Sequence, residues 1–198
     1  MEKIGYIGKN NLTLTNGLNS IDRLKNIEIQ YGNRNMVEER SDFVQPICAG
    51  VIITNENQIL IVNKNIKSTG VKSPEKDKTL LYIGGHLDEL DFSNNNYETF
   101  INGMKREIFE ELGLEIDNAK IKQPILTYTP TTEKSAKHLG IIFPIVIDAP
   151  FETTFTDGKC KFVKIDDLNK IENFESWSQI ILKELFQKSH STPNFTQD

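Results

Sequence analysis

Two apolar runs of strand length, ICAGVIIT (47–54) and QILIVN (58–63), are parted by the polar triplet NEN. That pattern predicts a strand, a tight turn and a second strand. TLLYIGG (79–85), ILTYTPT (125–131), HLGIIFPIVID (138–148) and CKFVKI (160–165) read as further strands, the first ending in two glycines. Residues 1–45 alternate only weakly, and LKNIEIQY (24–31) is their best strand candidate, followed by a polar connection, NRNMVEERSDF. KNIKSTGVKSPEKDK (64–78) predicts an exposed basic loop, and LDELDFSNNN (87–96) a polar, acidic one.

Helical spacing appears twice. Ile101, Met104, Ile108 and Leu112 fall on one side of a helix turning about 100° per residue. Asn95 and Glu98 stand at capping-box spacing at its start, and Gly113 supplies a left-handed stop. Phe174, Trp177, Ile181 and Leu185 recur at the same period and predict an amphipathic C-terminal helix. No repeat or low-complexity block interrupts the chain. Strands interleaved with two main helices imply an α/β class, a mixed sheet covered on both faces. The expected division is an N-terminal extension (1–45) packed on the core, a main domain (46–187) and a flexible tail (188–198).

Composition narrows the functions. The net charge of −5 excludes a general binder of duplex nucleic acid, since no Lys/Arg run offsets it. Cys48 and Cys160 lie far apart in apolar runs, which suits small buried hydrophobes rather than a disulfide or zinc framework. The first residues lack the apolar run of a signal peptide, and ICAGVII is too short to span a bilayer, so the expectation is a cytoplasmic protein without membrane partners.

The first helix violates local rules at its end. Glu107 and Glu111 form an i,i+4 like-charge pair, and Glu110 and Glu111 sit in the last turn, where the helix dipole disfavours anions. One reading is a solvated acidic face, softened by Arg106 pairing with Glu110. The other is a divalent cation, because carboxylates are the hard oxygen ligands that Mg²⁺ and Mn²⁺ prefer, and a bound ion turns their repulsion into attraction. A calcium loop starting at Asp91 fails, with Asn96 where glycine and Asn102 where glutamate is required. Phosphate-binding GxxxxGK[ST] and dinucleotide-binding GxGxxG motifs are absent.

These residues resemble the Nudix hydrolase box, G-x5-E-x7-R-E-U-x-E-E-x-G-U, where U is aliphatic. Glu98, seven intervening residues, and Arg106 through Leu114 match it without a gap, and Gly85 matches the opening glycine. Twelve residues separate Gly85 from Glu98 where the family has five, which reads as a seven-residue surface insertion. The resemblance runs over roughly residues 45 to 185. The IGGH and HLGIIF phrases are similar, more loosely, to a Nudix group known as predicted phosphoesterases.

The resemblance implies a Nudix-type α/β/α sandwich and Mg²⁺-dependent cleavage, with Mn²⁺ as an alternative, of a nucleoside diphosphate linked to another group. Glu107 and Glu111 would carry most of the metal ligation. Glu110 would add a ligand or help accept a proton, Arg106 would orient a glutamate, and Glu98 would ligate or brace. The backbone of Gly84 and Gly85 would complete the metal sphere. Glu133 is the candidate general base outside the box, with Glu152 behind it, and Tyr128 is a candidate to stack on a base. Pro130 lies near a proline of ADP-ribose-cleaving members and ranks substrates only.

His86 is expected to pack or hydrogen-bond in its loop and His138 to be structural, the loop acids Asp88, Glu89 and Asp91 to form a solvated loop rather than a lid, and His190 to lie in the tail. The rival functions are a Nudix-like nucleotide-sensing domain with little catalysis and, last, an isoprenoid diphosphate isomerase using Cys48. The 1–45 extension is also a candidate homodimer element.

Overall fold

A computed structural model describes residues 2–64, 75, 77–117, 119–152, 155 and 158–187. Most of the basic loop expected at 64–78, and the tail with His190, lie outside them.

The core is organised on β4 (Phe43–Thr54), whose residues after Phe43 are all buried. β5 (Gln58–Lys64) folds back beside it through a turn in which Asn57 has φ 58°. β6 (Ile83–His86) pairs antiparallel with the middle of β4, with Cys48 opposite Gly85 and Ala49 opposite Gly84. β9 (His138–Ile147) runs parallel to β4 along its length, while β7 (Lys120–Ile121) and β8 (Ile125–Tyr128) lie antiparallel to β9. β10 (Gly158–Lys164) closes the far edge against β5. Together with β1 (Lys3–Gly8), β2 (Gly17–Asn19) and β3 (Gln30–Asn33) these make a ten-stranded mixed sheet.

Near-continuous apolar runs in β4 and β9 follow from cover on both faces. α1 (Arg34–Glu39) belongs to the N-terminal segment. α2 (Asn96–Leu112) lays Met104, Ile108 and Leu112 on the sheet. The Asn95 side chain accepts from Tyr97 N–H at its start, and Gly113, at φ 66°, takes the left-handed cap conformation that a side chain resists. α3 (Ser176–Ile181) continues into a π-helical turn through Gln187, burying Trp177 and Ile181. No helix among the described residues is long and apolar enough to cross a membrane.

The N-terminal segment departs from the sequence expectation. β1 and β3 pair with one another, β1 also joins β4, and β2 joins β8. The strand expected at 24–31 begins only at Gln30; Ile21–Leu24 is a 3₁₀ turn capped by Ser20. Asn96 Nδ2 donates to the carbonyls of Leu24 and Ile27 at 2.8 and 2.7 Å, so side-chain amide bonds serve this backbone where a sheet partner was expected. The expected polar connection after it contains α1.

Gly84 sits so close to β4 that a Cβ there would collide with the Cys48 carbonyl and the Ala49 backbone. Backbone cannot swing aside as a side-chain tip can. Gly84→Ala should cost about 2–3 kcal/mol, read as a lower denaturation midpoint with an unchanged m-value.

Candidate active site

Arg106 is the hub of the site. Its Nε and Nη2 donate to the two carboxylate oxygens of Asp91 at 3.0 and 2.9 Å. Nη2 also donates to the His86 carbonyl at 2.8 Å, and Nη1 to Glu107 at 2.8 Å and Glu110 at 3.1 Å. One guanidinium thus ties the inserted loop, the end of β6 and the acidic turn of α2. Burial disfavours its charge, but Asp91 and Glu107 outweigh this and hold its pKa above the ordinary value.

Asp91 corrects the expectation of a solvated loop acid: its side chain is 4% exposed. It closes a short 3₁₀ turn, Glu89–Asp91, in a reciprocal capping box with Asp88. Five residues separate Gly85 from Asp91, the spacing the family box sets between its glycine and first acid. The seven extra residues therefore follow that acid rather than precede it. Counting forward from Gly85 instead of backward from Arg106 would have found it.

Glu98 is solvent-exposed near the start of α2, more than two helical turns before Glu107, and does not reach this site. The ligating or bracing role expected of Glu98 falls, in its bracing part, to Asp91.

A cavity of about 330 Å³ opens beside α2, lined by Glu107, Glu111, Gly84, Gly85 and His86 among others. A Cβ on Gly85 would overlap the Glu107 carboxylate, so glycine is what lets that carboxylate lie against the strand. Burial raises the Glu107 pKa, Arg106 opposes the shift, and Glu110 and Asp91 add to it. Lys64 Nζ lies 3.4 Å from Glu75 and 3.8 Å from Glu111. Tyr82 places its hydroxyl 3.2 Å from both Glu75 and Glu175. Glu175 caps α3 by accepting from Trp177 and Ser178 N–H, and burial raises its pKa despite those bonds.

The remaining expected residues lie apart. Glu110 is 56% exposed and held by Arg106, outside the cavity lining. Glu133 is 89% exposed and 3.6 Å from Lys137. Tyr128 donates its hydroxyl to the Ala136 carbonyl and does not line the cavity. Glu152 borders a different depression with Phe151 and Phe162. Cys48 is fully buried, and burial pushes its thiol pKa well up, which leaves no reactive thiolate for isomerase chemistry. Sequence reading missed Glu75, Glu175, Lys64 and the cavity-lining residues of the N-terminal segment. They come from distant segments and carry no local spacing signal.

His86 and His138 pack edge to face, 5.5 Å between ring centroids, and His86 Nε2 lies 2.9 Å from Gln45 Oε1. Burial lowers both imidazole pKa values, that of His138 to about 4, and nearby Lys134 adds to the effect.

The donor set suits a hard divalent cation. Among the described residues no group of three or more His, Cys, Asp or Glu forms a closed metal cluster. Two carboxylates one turn apart, beside glycine backbone at an open cavity, match what Mg²⁺ accepts, since it is commonly held by one or two carboxylates plus water and substrate phosphate.

No protein-family model matches this chain, and no curated protein does. Solved structures are similar in fold. Tm1382, provisionally a Nudix hydrolase, is 22% identical, with 94% of this chain and 100% of that one covered and a TM-score of 0.71. A MutT Nudix hydrolase from Burkholderia pseudomallei is 17% identical over 71% of this chain and 97% of its own, with a TM-score of 0.50. A bifunctional NMN adenylyltransferase/ADP-ribose pyrophosphatase from Francisella tularensis, in complex with AMP and a Mn ion, is 16% identical over 73% of this chain and 42% of its own, with a TM-score of 0.50. The chain has the Nudix hydrolase fold, as the sequence resemblance implied.

Two outcomes check this geometry. Asp91→Ala strands Arg106 among partly buried groups and should cost about 3–5 kcal/mol in chemical denaturation. His138 is held neutral when folded, so the unfolded chain binds more protons between pH 6.5 and about 4. Stability then falls as pH drops through that window, and His138→Gln should flatten the fall in a pH series of melting temperatures.

Proposed function

We propose that this protein is a metal-dependent pyrophosphohydrolase that cleaves a small nucleoside diphosphate linked to another group, by attack of water on phosphorus. The observation that carries this reading is the pair Glu107 and Glu111 lining one cavity beside Gly84 and Gly85, with Arg106 locked behind them by Asp91. Glu107, Glu111 and the Gly84–Gly85 backbone would hold Mg²⁺ or Mn²⁺. When bound, such an ion neutralises phosphate oxygens and lowers the pKa of a coordinated water.

The chain's own residues do the rest. Arg106 fixes the Glu107 carboxylate against the strand end through its 2.8 Å bond. A proton leaving the attacking water goes to a carboxylate of the cavity, Glu111 or Glu75, which the Lys64 ammonium links. Glu133, far out in solvent, is replaced in that role. Lys64 also offers a positive charge to the departing phosphate. Ile47 and Trp177 give the cavity an apolar portion of its wall.

The test is a panel of nucleotide sugars, dinucleotides and ADP-ribose incubated with Mg²⁺, with products identified by mass. One member should yield a mononucleotide. Glu111→Gln should lower that rate about a hundredfold or more while leaving the melting temperature within a few degrees. A nucleotide that raises the melting temperature yet is never cleaved, even with Mn²⁺, would favour a sensing domain instead.

A further inference from the structure

The cavity has two electrical ends. Toward α2 and α3 it is lined by Glu107, Glu111, Glu75 and Glu175, with Lys64 among them. The opposite end is built by the N-terminal segment and the 129–137 loop, which place Arg34, its partners Glu2 and Glu38, and Lys134 on the lining beside His86 and His138. Lys137 Nζ donates to the Glu38 carbonyl at 2.8 Å and ties that loop to α1.

Arg34 is held in a defined pose. Its Nε donates to Glu38 at 2.8 Å and its Nη1 to both oxygens of Glu2, at 2.9 and 3.1 Å. Among the described residues Nη2 makes no hydrogen bond, and the Lys134 ammonium has neither a hydrogen bond nor an ion pair. Glu2 and Glu38 orient Arg34 and offset its charge, which leaves the Lys134 ammonium as the cation without a partner among the described residues. Lys134 is accordingly the largest of the charges acting on the His138 ring, after burial, with Glu38 opposing it. A lone exposed lysine would be unremarkable. A lysine and a pre-oriented guanidinium edge on one cavity, from two segments pinned together, form a place for an anion.

We propose that Arg34 and Lys134 form a phosphate subsite at the end of the cavity opposite Glu107 and Glu111, which makes the N-terminal segment a specificity element of the enzyme. The proposal rests on the pyrophosphohydrolase reading for the identity of the ligand, a substrate whose phosphates extend beyond those held at the carboxylate end. Substrates carrying an additional phosphate on the nucleoside or on the linked group would use both ends at once.

Calorimetric binding of inorganic pyrophosphate to the full chain in EDTA tests this without any turnover. Wild type should bind, Lys134→Ala and Arg34→Lys should each weaken binding about tenfold, and Lys170→Ala, at an exposed lysine off the cavity lining, should leave it unchanged. Arg34→Lys keeps the charge but loses the fork, and exposed Lys134 can be changed without disturbing folding. Undetectable binding in wild type, equal binding by the Lys134→Ala protein, or a comparable loss in Lys170→Ala would each overturn the subsite. Because no metal and no cleavage enter the measurement, a protein that fails to hydrolyse any nucleotide can still pass it, and an active hydrolase can still fail it.

Discussion

The buried pair between Arg106 and Asp91 is the constraint on which the site depends. A carboxylate 4% exposed and a guanidinium in the same pocket are tolerable only because nearly every polar atom of both is bonded. Arg106 spends its remaining donors on the His86 carbonyl and on Glu107 and Glu110. That fixes three pieces of chain at once: the inserted loop, the glycine-bearing strand end and the acidic turn of the helix. The like-charge crowding that makes the helix poor in isolation is thereby partly neutralised from outside it. Glu107, held by Arg106, and Glu111, beside Lys64, are the acids of that turn that line the cavity.

Legibility in the sequence followed the range of the interaction. β4, β5 and β9 were readable because a doubly covered strand needs an unbroken apolar run, β10 because Cys160 and Phe162 alternate with lysines as on an edge strand, and α2 because its buried residues repeat at the helical period with a glycine stop. α1 was not, being one short polar turn held by ion pairs of Arg34 with Glu2 and Glu38. Residues 24–29 looked like a strand by composition, yet Asn96, a residue remote in sequence, takes their carbonyls instead. Within the site, Glu107, Glu111 and Arg106 were visible through spacing on one helix. Glu98 and Asp91 each fit the first acid of the box, because the gap could be placed on either side of it, and the structure puts Asp91 rather than Glu98 against Arg106.

The two ends of the cavity also account for its mixture of charges. Carboxylates clustered without cations would repel a phosphorylated ligand, and cations alone would give no place for a divalent ion. Acids and bases share that space: Lys64 stands by Glu75 and Glu111, and Glu2 and Glu38 by Arg34, with Ile47 and Trp177 also on the wall. The neutral imidazoles of His86 and His138, also on the lining, add donors and acceptors without adding charge.

The way β2 is used has a consequence for biosynthesis. This strand near the beginning of the chain finds its partner in β8, which lies beyond the motif helix in sequence. A ribosome must therefore deliver the residues through β8 before β2 can dock. β1 and β3 find each other and the start of β4 much sooner, though so small a ribbon is marginal in water until the rest of the sheet forms. Docking of β2 is thus a late step of synthesis, taken after the strands and helix between it and its partner have emerged.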